Sequence, residues 1–404
     1  MLKRQERENK ISKSKNLMTP YKKLISHIVW TVLAFSIGIE ISYLAIKGGT
    51  FAYATIYNKT QQLIKEDNTN NPQYIGMDDP LPLPQTKEVK EEISMISIGF
   101  VGDIIPGIDV SPDIFSEIIS YTQKPDIMIG NLEGVATDHK YFKCKQNSLN
   151  CFSFNGDDNF INLLSEASFD VLNIANNHFN DHGGIGQEET LQKIYEAGIV
   201  PSGIKNEITY IKDKDLKIGI IGFSNYKWTT NMNNTNTVEK IIHEANENAD
   251  IVIVIFHGGG EGEKYAHTGN ETEWYLGENR GDLRSFSHNA IDAGADIVLG
   301  SGPHILRGME WYNDKLIAYS LGNFASANKL STIGSLKTSA MIEVRLHKDG
   351  SFISGIIFPF KIENYGIPRP DLEKTAIEAI NELSKSDFGE QGVILSSDGE
   401  IQIK

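Results

Sequence analysis

The sequence predicts an α/β fold whose sheets are covered by helices on both faces. Three observations lead there. Strand and helix signals alternate along most of the chain. The strand candidates are short, nearly continuous apolar runs, the pattern of strands buried on both faces. Polar residues gather where those runs end, as in 170–183, DVLNIANNHFNDHG, where Asn176, Asn177, His178, Asp181 and His182 follow a hydrophobic strand. Carboxylates, imidazoles and amides released together at strand C-terminal ends are what a polar or metal site in such a domain requires.

The chain has 404 residues, enough to bury a substantial core. Residues 1–23 carry eight Lys or Arg against Glu6 and Glu8, while the formal total is −15, so the remainder is strongly acidic. That balance argues against nucleic acid as a partner and suits bound divalent cations. From Leu24 to Ile46 runs LISHIVWTVLAFSIGIEISYLAI, about the length needed to cross a bilayer. With Lys22 and Lys23 before it, the positive-inside rule puts residues 1–23 in the cytoplasm and the body outside. A cleaved signal peptide is the rival, since Ala52-Tyr53-Ala54 has the small-x-small form. That motif lies well beyond the apolar run, and the run is long for a signal peptide. The expected organisation is a basic cytoplasmic tail (1–23), a single-pass signal anchor in the cell membrane (24–46), a polar, proline-containing stalk (47–92) and an extracytoplasmic domain (93–404). Cys144 and Cys151 are the only cysteines. Outside the membrane a pair this close can close a disulfide loop, and two thiols alone make a poor zinc site.

Within the body, ISIGFVG (96–102) reads as a buried strand. Ser111-Pro112-Asp113 opens a helix to about Tyr121, with proline in its first turn. Strand 126–130, helix 158–167 and the strand DVLNIAN follow. The next helix, near 187–197, ends at Gly198 as a C-cap would. Strand 216–223, an amphipathic helix 237–248, strand 251–257, a helix near 283–293, strand 296–300 and strand 316–322 complete the central run. After Phe324 a hairpin turning at Lys348-Asp349-Gly350 and a helix near 371–385 are expected to close the second sheet.

The strand ends supply the candidate site. Asp103 ends the first strand, Asn131 and Glu133 the second, and Asn176, Asn177 and His178 the third; His257 and His304 follow later strands. Oxygen and imidazole ligands from successive strand ends are how an α/β sheet builds a hydrolytic site for one or two ions. Asp181 and His182 either form a carboxylate–imidazole pair able to protonate a leaving group or anchor the loop at the following helix.

The motifs VGDIIPG, IGNLEG, NIANNHFNDHGGIGQEET, FHGGGEGE, IDAGADIVLGSGPHILRGMEWY and LIAYSLGNF stand in that order between Ile96 and Phe324. In them the chain resembles the bacterial capsule synthesis protein family CapA/PgsA of poly-γ-glutamate biosynthesis. The resemblance implies a four-layer α-β-β-α sandwich of the calcineurin-like metallophosphoesterase type. It assigns Asp103, Glu133, Asn177, His178, His257 and His304 to metal positions, with Mn, Zn or Fe as one or two ions. It gives Asn131 and Asn176 supporting roles, lines the cleft with Glu261 or Glu263, and sets Ser320, Gly322 and Asn323 as a floor. With His182, the two glutamates are the catalytic candidates. Two departures thin a two-metal site: Ile105 stands where the wider fold has a histidine, and Gly302 where many members have another. The implied partners are a membrane-bound poly-γ-glutamate ligase, export subunits and the anionic polymer. Three functions remain open: a non-catalytic assembly or export factor using the cleft, a metal-dependent hydrolase of phosphoester or amide bonds, and a purely structural extracellular domain.

Overall fold

The structure, a computed structural model, describes residues 95–141, 143–144, 151–327 and 333–403. The basic tail, the apolar run 24–46 and the stalk lie outside the described residues. Among the described residues no helix is long and apolar enough to cross a membrane.

The described residues open with four parallel strands, β1 (Met95–Ile104), β2 (Ile127–Leu132), β3 (Val171–Asn173) and β4 (Val200–Ser202). It then builds a second sheet from β5 (Thr209–Asp213), β6 (Leu216–Ser224), β7 (Ile251–His257), β8 (Ile297–Ser301), β9 (Met309–Tyr312) and β10 (Lys315–Ala318), in the order β9-β10-β8-β7-β6-β5. The chain returns to the first sheet with β11 (Asn323–Ala325), which pairs parallel to the end of β1, and with the antiparallel strands β12 (Thr338–His347), β13 (Phe352–Glu363) and β14 (Ile367–Pro370). The longer helices are α1 (Asp158–Glu166), α2 (Gly183–Glu196), α3 (Thr235–Asn248), α4 (Leu283–Asp292) and α5 (Thr375–Phe388).

Side-chain alternation in the strands explains the layering. On β7, Ile251, Ile253 and Ile255 enter the core between the sheets, where they meet Ile96, Ile98 and Phe100 of β1. The alternate residues Val252, Val254 and Phe256 face outward onto Val238, Ile241 and Ile242 of α3 and Phe286 and Ala290 of α4. On the other side, Val101, Ile104, Met128 and Leu172 pack against Phe160, Ile161 and Leu164 of α1 and Ile194 of α2. A period of two along a strand buried on both faces therefore yields helix, sheet, sheet, helix. Helix starts are fixed locally: Asp157, Asn234 and Asp282 cap α1, α3 and α4 by accepting from the backbone of Phe160, Thr237 and Ser285.

Two expectations need correction. The segment from Ser111 folds as successive turns, with Ile114, Ser116 and Ile118 bonded three residues back, and only Ile119–Thr122 is helical. Burial of Ile114, Phe115 and Ile118 takes the place of a regular helix there. The C-terminal hairpin extends the first sheet and does not close the second: β12 pairs with β1 from Met95↔His347 to Val101↔Met341. Its Ala340, Ile342 and Val344 continue the same inner face as Ile96, Ile98 and Phe100. The disulfide Cys144–Cys151 is formed, with the Cα atoms 5.5 Å apart.

Candidate metal centre

Strand register puts polar residues into rows. In the first sheet Asn323, Asp103, Asn131 and Asn173 are successive partners across β11, β1, β2 and β3. In the second, His257 stands between Ser224 and Ser301. The rows meet: Asn131 Nδ2 donates to Asp103 Oδ1 at 2.8 Å and lies 3.2 Å from His257 Nδ1. Asn131 Oδ1 in turn accepts from Asn173 at 2.8 Å and Asn176 at 3.3 Å, so its amide is fully engaged in the interior.

Asp103, Glu133 and His257 offer ligand atoms that all lie within 4.8 Å of one another, and all three residues are fully buried. Glu133 is the telling member. Neither of its carboxylate oxygens has a hydrogen-bond partner. The Nε2 atoms of His178 and His257 each stand 3.7 Å from its Oε1, and His304 Nδ1 stands 3.7 Å from its Oε2. That is too long for a hydrogen bond. Two ligands of one tetrahedral ion, at bond lengths of about 2.0–2.2 Å, stand about 3.4 Å apart. His257 Nε2 and Asn177 Oδ1 are likewise without a hydrogen-bond partner. Buried acceptors left unpaired are costly unless a cation joins them, so this donor set fits a divalent metal.

Electrostatics separates the two carboxyls. Burial pushes Asp103 up, but the hydrogen bonds and charges of His257 and His304 outweigh it and hold Asp103 well below the usual carboxylate range. Glu133 is raised well above that range, chiefly by burial. Burial would lower His304, but Glu133 and Asp103 push it up to about 10. His304 Nδ1 lies 3.0 Å from Asp103 Oδ2 and 3.0 Å from Asn323 Oδ1. Burial lowers both His257 and His178 and so favours the neutral imidazole that ligates metal. Each is oriented through its other nitrogen: His257 Nδ1 contacts Ser301 Oγ at 3.2 Å, and His178 Nδ1 contacts Asp181 Oδ2 at 2.7 Å.

The remaining candidates separate. Glu261 reaches the cluster, with Oε2 3.8 Å from His304 Nε2, and its other oxygen accepts from Arg280 at 3.0 Å. Glu263 lies exposed and accepts from Ser335. His182 sits just before α2, with Nδ1 2.7 Å from the His139 carbonyl. Ser320 holds the Ile305 carbonyl, and Gly322 accepts from the Asp103 backbone, so the 320–323 segment lies beneath Asp103 and His304. Ile105 is buried hydrocarbon, bonded through its backbone to Ala325. Gly302 has φ +114°, and a Cβ there would meet the Gly258 carbonyl oxygen at 2.6 Å. No larger residue fits unstrained at this position, where the resemblance leads one to expect a histidine.

Several residues escaped the sequence reading. Asn173 was signalled by an amide inside an apolar strand. Arg280 and Arg307, both nearly or fully buried, brace the loop after β7: Arg280 bonds Tyr226, Glu278, Glu261 and the Gly259 carbonyl, and Arg307 grips Glu273 through two hydrogen bonds. Their spacing carries little signal, because most of their partners come from segments distant in sequence.

A family model described as bacterial capsule synthesis protein PGA_cap matches residues 97–328. The PGA biosynthesis protein CapA of Bacillus subtilis (strain 168) is 29% identical over 293 residues, covering 66% of this chain and 72% of that protein. The capsule biosynthesis protein CapA of Bacillus anthracis is 25% identical over 395 residues, covering 87% and 90%. Among solved structures, the NAD nucleotidase NadN of Haemophilus influenzae aligns with a TM-score of 0.35 and 13% identity, over 76% of this chain and 57% of that one. The purple acid phosphatase PPD1 of yellow lupin aligns with a TM-score of 0.33 and 12% identity, over 70% and 55%. Both structural likenesses are distant.

Proposed function

Because the chain belongs to the bacterial capsule synthesis protein family PGA_cap, we propose that it is a membrane-anchored component of poly-γ-glutamate capsule synthesis and export, holding one divalent ion in a metallophosphoesterase-like cleft. The observation that carries the metal is Glu133: a fully buried carboxyl with both oxygens unpaired, ringed by imidazoles at 3.7 Å. Asp103, Glu133 and His257 would hold the ion, with His178, His304 and Asn177 around it. Mn, Zn or Fe suits this mixed oxygen and imidazole set. A single ion is the better fit, since Ile105 and Gly302 supply no ligand and one cluster of this kind occurs among the described residues. When bound, the ion supplies a Lewis-acid charge that can offset the anionic polymer against the acidic protein body. The partners in this reading are the membrane-bound ligase and export subunits.

A metal-dependent hydrolase is the second reading. It is favoured by Glu261 facing His304 Nε2 at the rim, a carboxylate–imidazole pair placed to move a proton. One experiment separates the two: quantify metal in the purified full-length protein, assay phosphoester and poly-γ-glutamate hydrolysis, and measure capsule in complemented cells, for wild type and His257→Ala. The assembly reading expects bound metal, no turnover, and loss of both metal and capsule in the variant. Metal-dependent turnover that disappears in His257→Ala would establish the hydrolase instead. Unaltered capsule with the variant would sink the assembly reading.

A further inference from the structure

We propose that the Cys144–Cys151 disulfide and the residues flanking it, Lys143 and Phe154, form a clamp that holds His178 in its metal-facing pose, with Lys143 as a positioning residue. The inference rests on His178 belonging to the metal centre. The residues flanking the disulfide converge on Asp181 from both sides of the bridge. Upstream, Lys143 Nζ pairs with Asp181 Oδ1 at 2.5 Å, and its backbone N–H donates to the Asp181 carbonyl at 3.1 Å. Downstream, the Phe154 N–H donates to Asp181 Oδ2 at 2.7 Å, and the Phe154 ring lies on the His178 imidazole with centroids 4.1 Å apart. Between these contacts, Cys144 and Cys151 are joined covalently.

Asp181 is fully buried and carries His178 Nδ1 at 2.7 Å, which leaves Nε2 directed at Glu133 Oε1. The line therefore runs from Lys143 through Asp181 and His178 to Glu133. A carboxylate behind a metal-facing histidine fixes the ring's orientation, and loss of such a partner typically lowers metal affinity about 10- to 100-fold. Here that carboxylate has its own supports, Lys143 and Phe154, one on either side of the disulfide. Asp181 Oδ1 has no hydrogen bond besides its ion pair with Lys143, so removing the ammonium leaves a buried carboxylate oxygen unserved. The disulfide keeps Lys143 and Phe154 within reach of one carboxylate by limiting how far the loop ends can separate.

The test compares full-length wild type with Lys143→Met, Lys143→Arg and Cys144→Ser/Cys151→Ser. Two quantities are measured: Mn²⁺ affinity by calorimetry, and amide hydrogen exchange without metal in peptides covering 176–183, with the 338–363 hairpin as a remote reference. The clamp expects Mn²⁺ affinity to fall about tenfold or more in Lys143→Met and in the double serine variant, with Lys143→Arg restoring most of it. Exchange at 176–183 should quicken in the same two variants while 338–363 stays unchanged. Wild-type exchange at 176–183 in Lys143→Met, whose disulfide is intact, would overturn the proposal. If wild type itself takes up no Mn²⁺, the metal reading fails, and the clamp is then decided by the exchange data alone.

Discussion

Asp103 and Asn131 stand opposite each other in the parallel pairing of β1 and β2, and the Asn131 amide donates to Asp103 Oδ1 at 2.8 Å. This hydrogen bond ties the Asp103 carboxylate to a row of buried amides, because the other end of Asn131 accepts from Asn173 and Asn176. Asn131→Asp replaces the donor with a second carboxylate facing Asp103. Unmade hydrogen bonds to buried polar groups cost about 1–3 kcal/mol each, and like charges in one site add to that. The expected outcome is a loss of at least that size in chemical denaturation, together with weaker Mn²⁺ binding by calorimetry. A variant as stable as wild type would show that the row is incidental.

Glu133 predicts the opposite sign. Its oxygens are buried without partners, so in metal-free protein the carboxyl is a burden. Glu133→Gln keeps the shape and removes the capacity for charge. In chelator the variant is expected to be more stable than wild type, by about 1–3 kcal/mol. With Mn²⁺ present the order should reverse, since only wild type gains stability from the ligand. Thermal melts in chelator and in Mn²⁺ measure both; a variant that stabilises with Mn²⁺ as strongly as wild type would remove Glu133 from the centre.

In the proposed metal centre, Gly302 would limit how many ions can bind. A side chain there meets the Gly258 backbone, with 2.6 Å to its oxygen and 2.8 Å to its nitrogen, at a φ of +114°. Restoring an imidazole by Gly302→His should therefore destabilise the fold, at roughly 1–3 kcal/mol for the backbone strain alone, and should not add a second ion. Metal-to-protein ratio by elemental analysis gives the answer. Two ions per chain at wild-type stability would mean that glycine is not required at this position.

What could be read from the sequence follows from range. Strand β7 was legible to the residue because seven apolar and terminal positions, Ile251–His257, carry their own pattern. That Asp103, Glu133 and His257 lie together was legible because polar residues at strand C-terminal ends gather at one end of an α/β domain, here from both sheets. The pairing of Lys143 with Asp181 was not legible, since it depends on how a loop folds back. Glu261 and Glu263 look equivalent in the run GEGE. Only the turn at Gly262, with φ +82°, sends one to His304 and the other to Ser335. The placement of the C-terminal hairpin also escaped, because its inner-face residues suit either sheet and only pairing with β1 decides between them.

The buried carboxylate of Glu310 gives a prediction away from the metal centre. On β9 it is fully buried and accepts from Arg284 at 2.8 Å and Tyr319 at 2.7 Å, with His288 Nε2 at 3.0 Å. Burial raises its carboxyl, but the bonds from His288, Tyr319 and Arg284 outweigh that and leave it below the ordinary value of 4.5. A carboxyl lowered in the folded state binds its proton more readily when unfolded. Its contribution is therefore complete above the ordinary carboxylate range and is lost as pH falls through the lower folded value. Glu310→Gln keeps the size but weakens the charge-assisted bonds to Arg284 and His288, at a cost of about 1.5–3 kcal/mol near neutral pH. The stability gap between wild type and variant, from urea denaturation at successive pH values, should stay wide down to about pH 5 and close below about pH 4. A gap that stays constant to pH 3 would mean that the Glu310 charge contributes nothing and that packing alone holds β9 to α4.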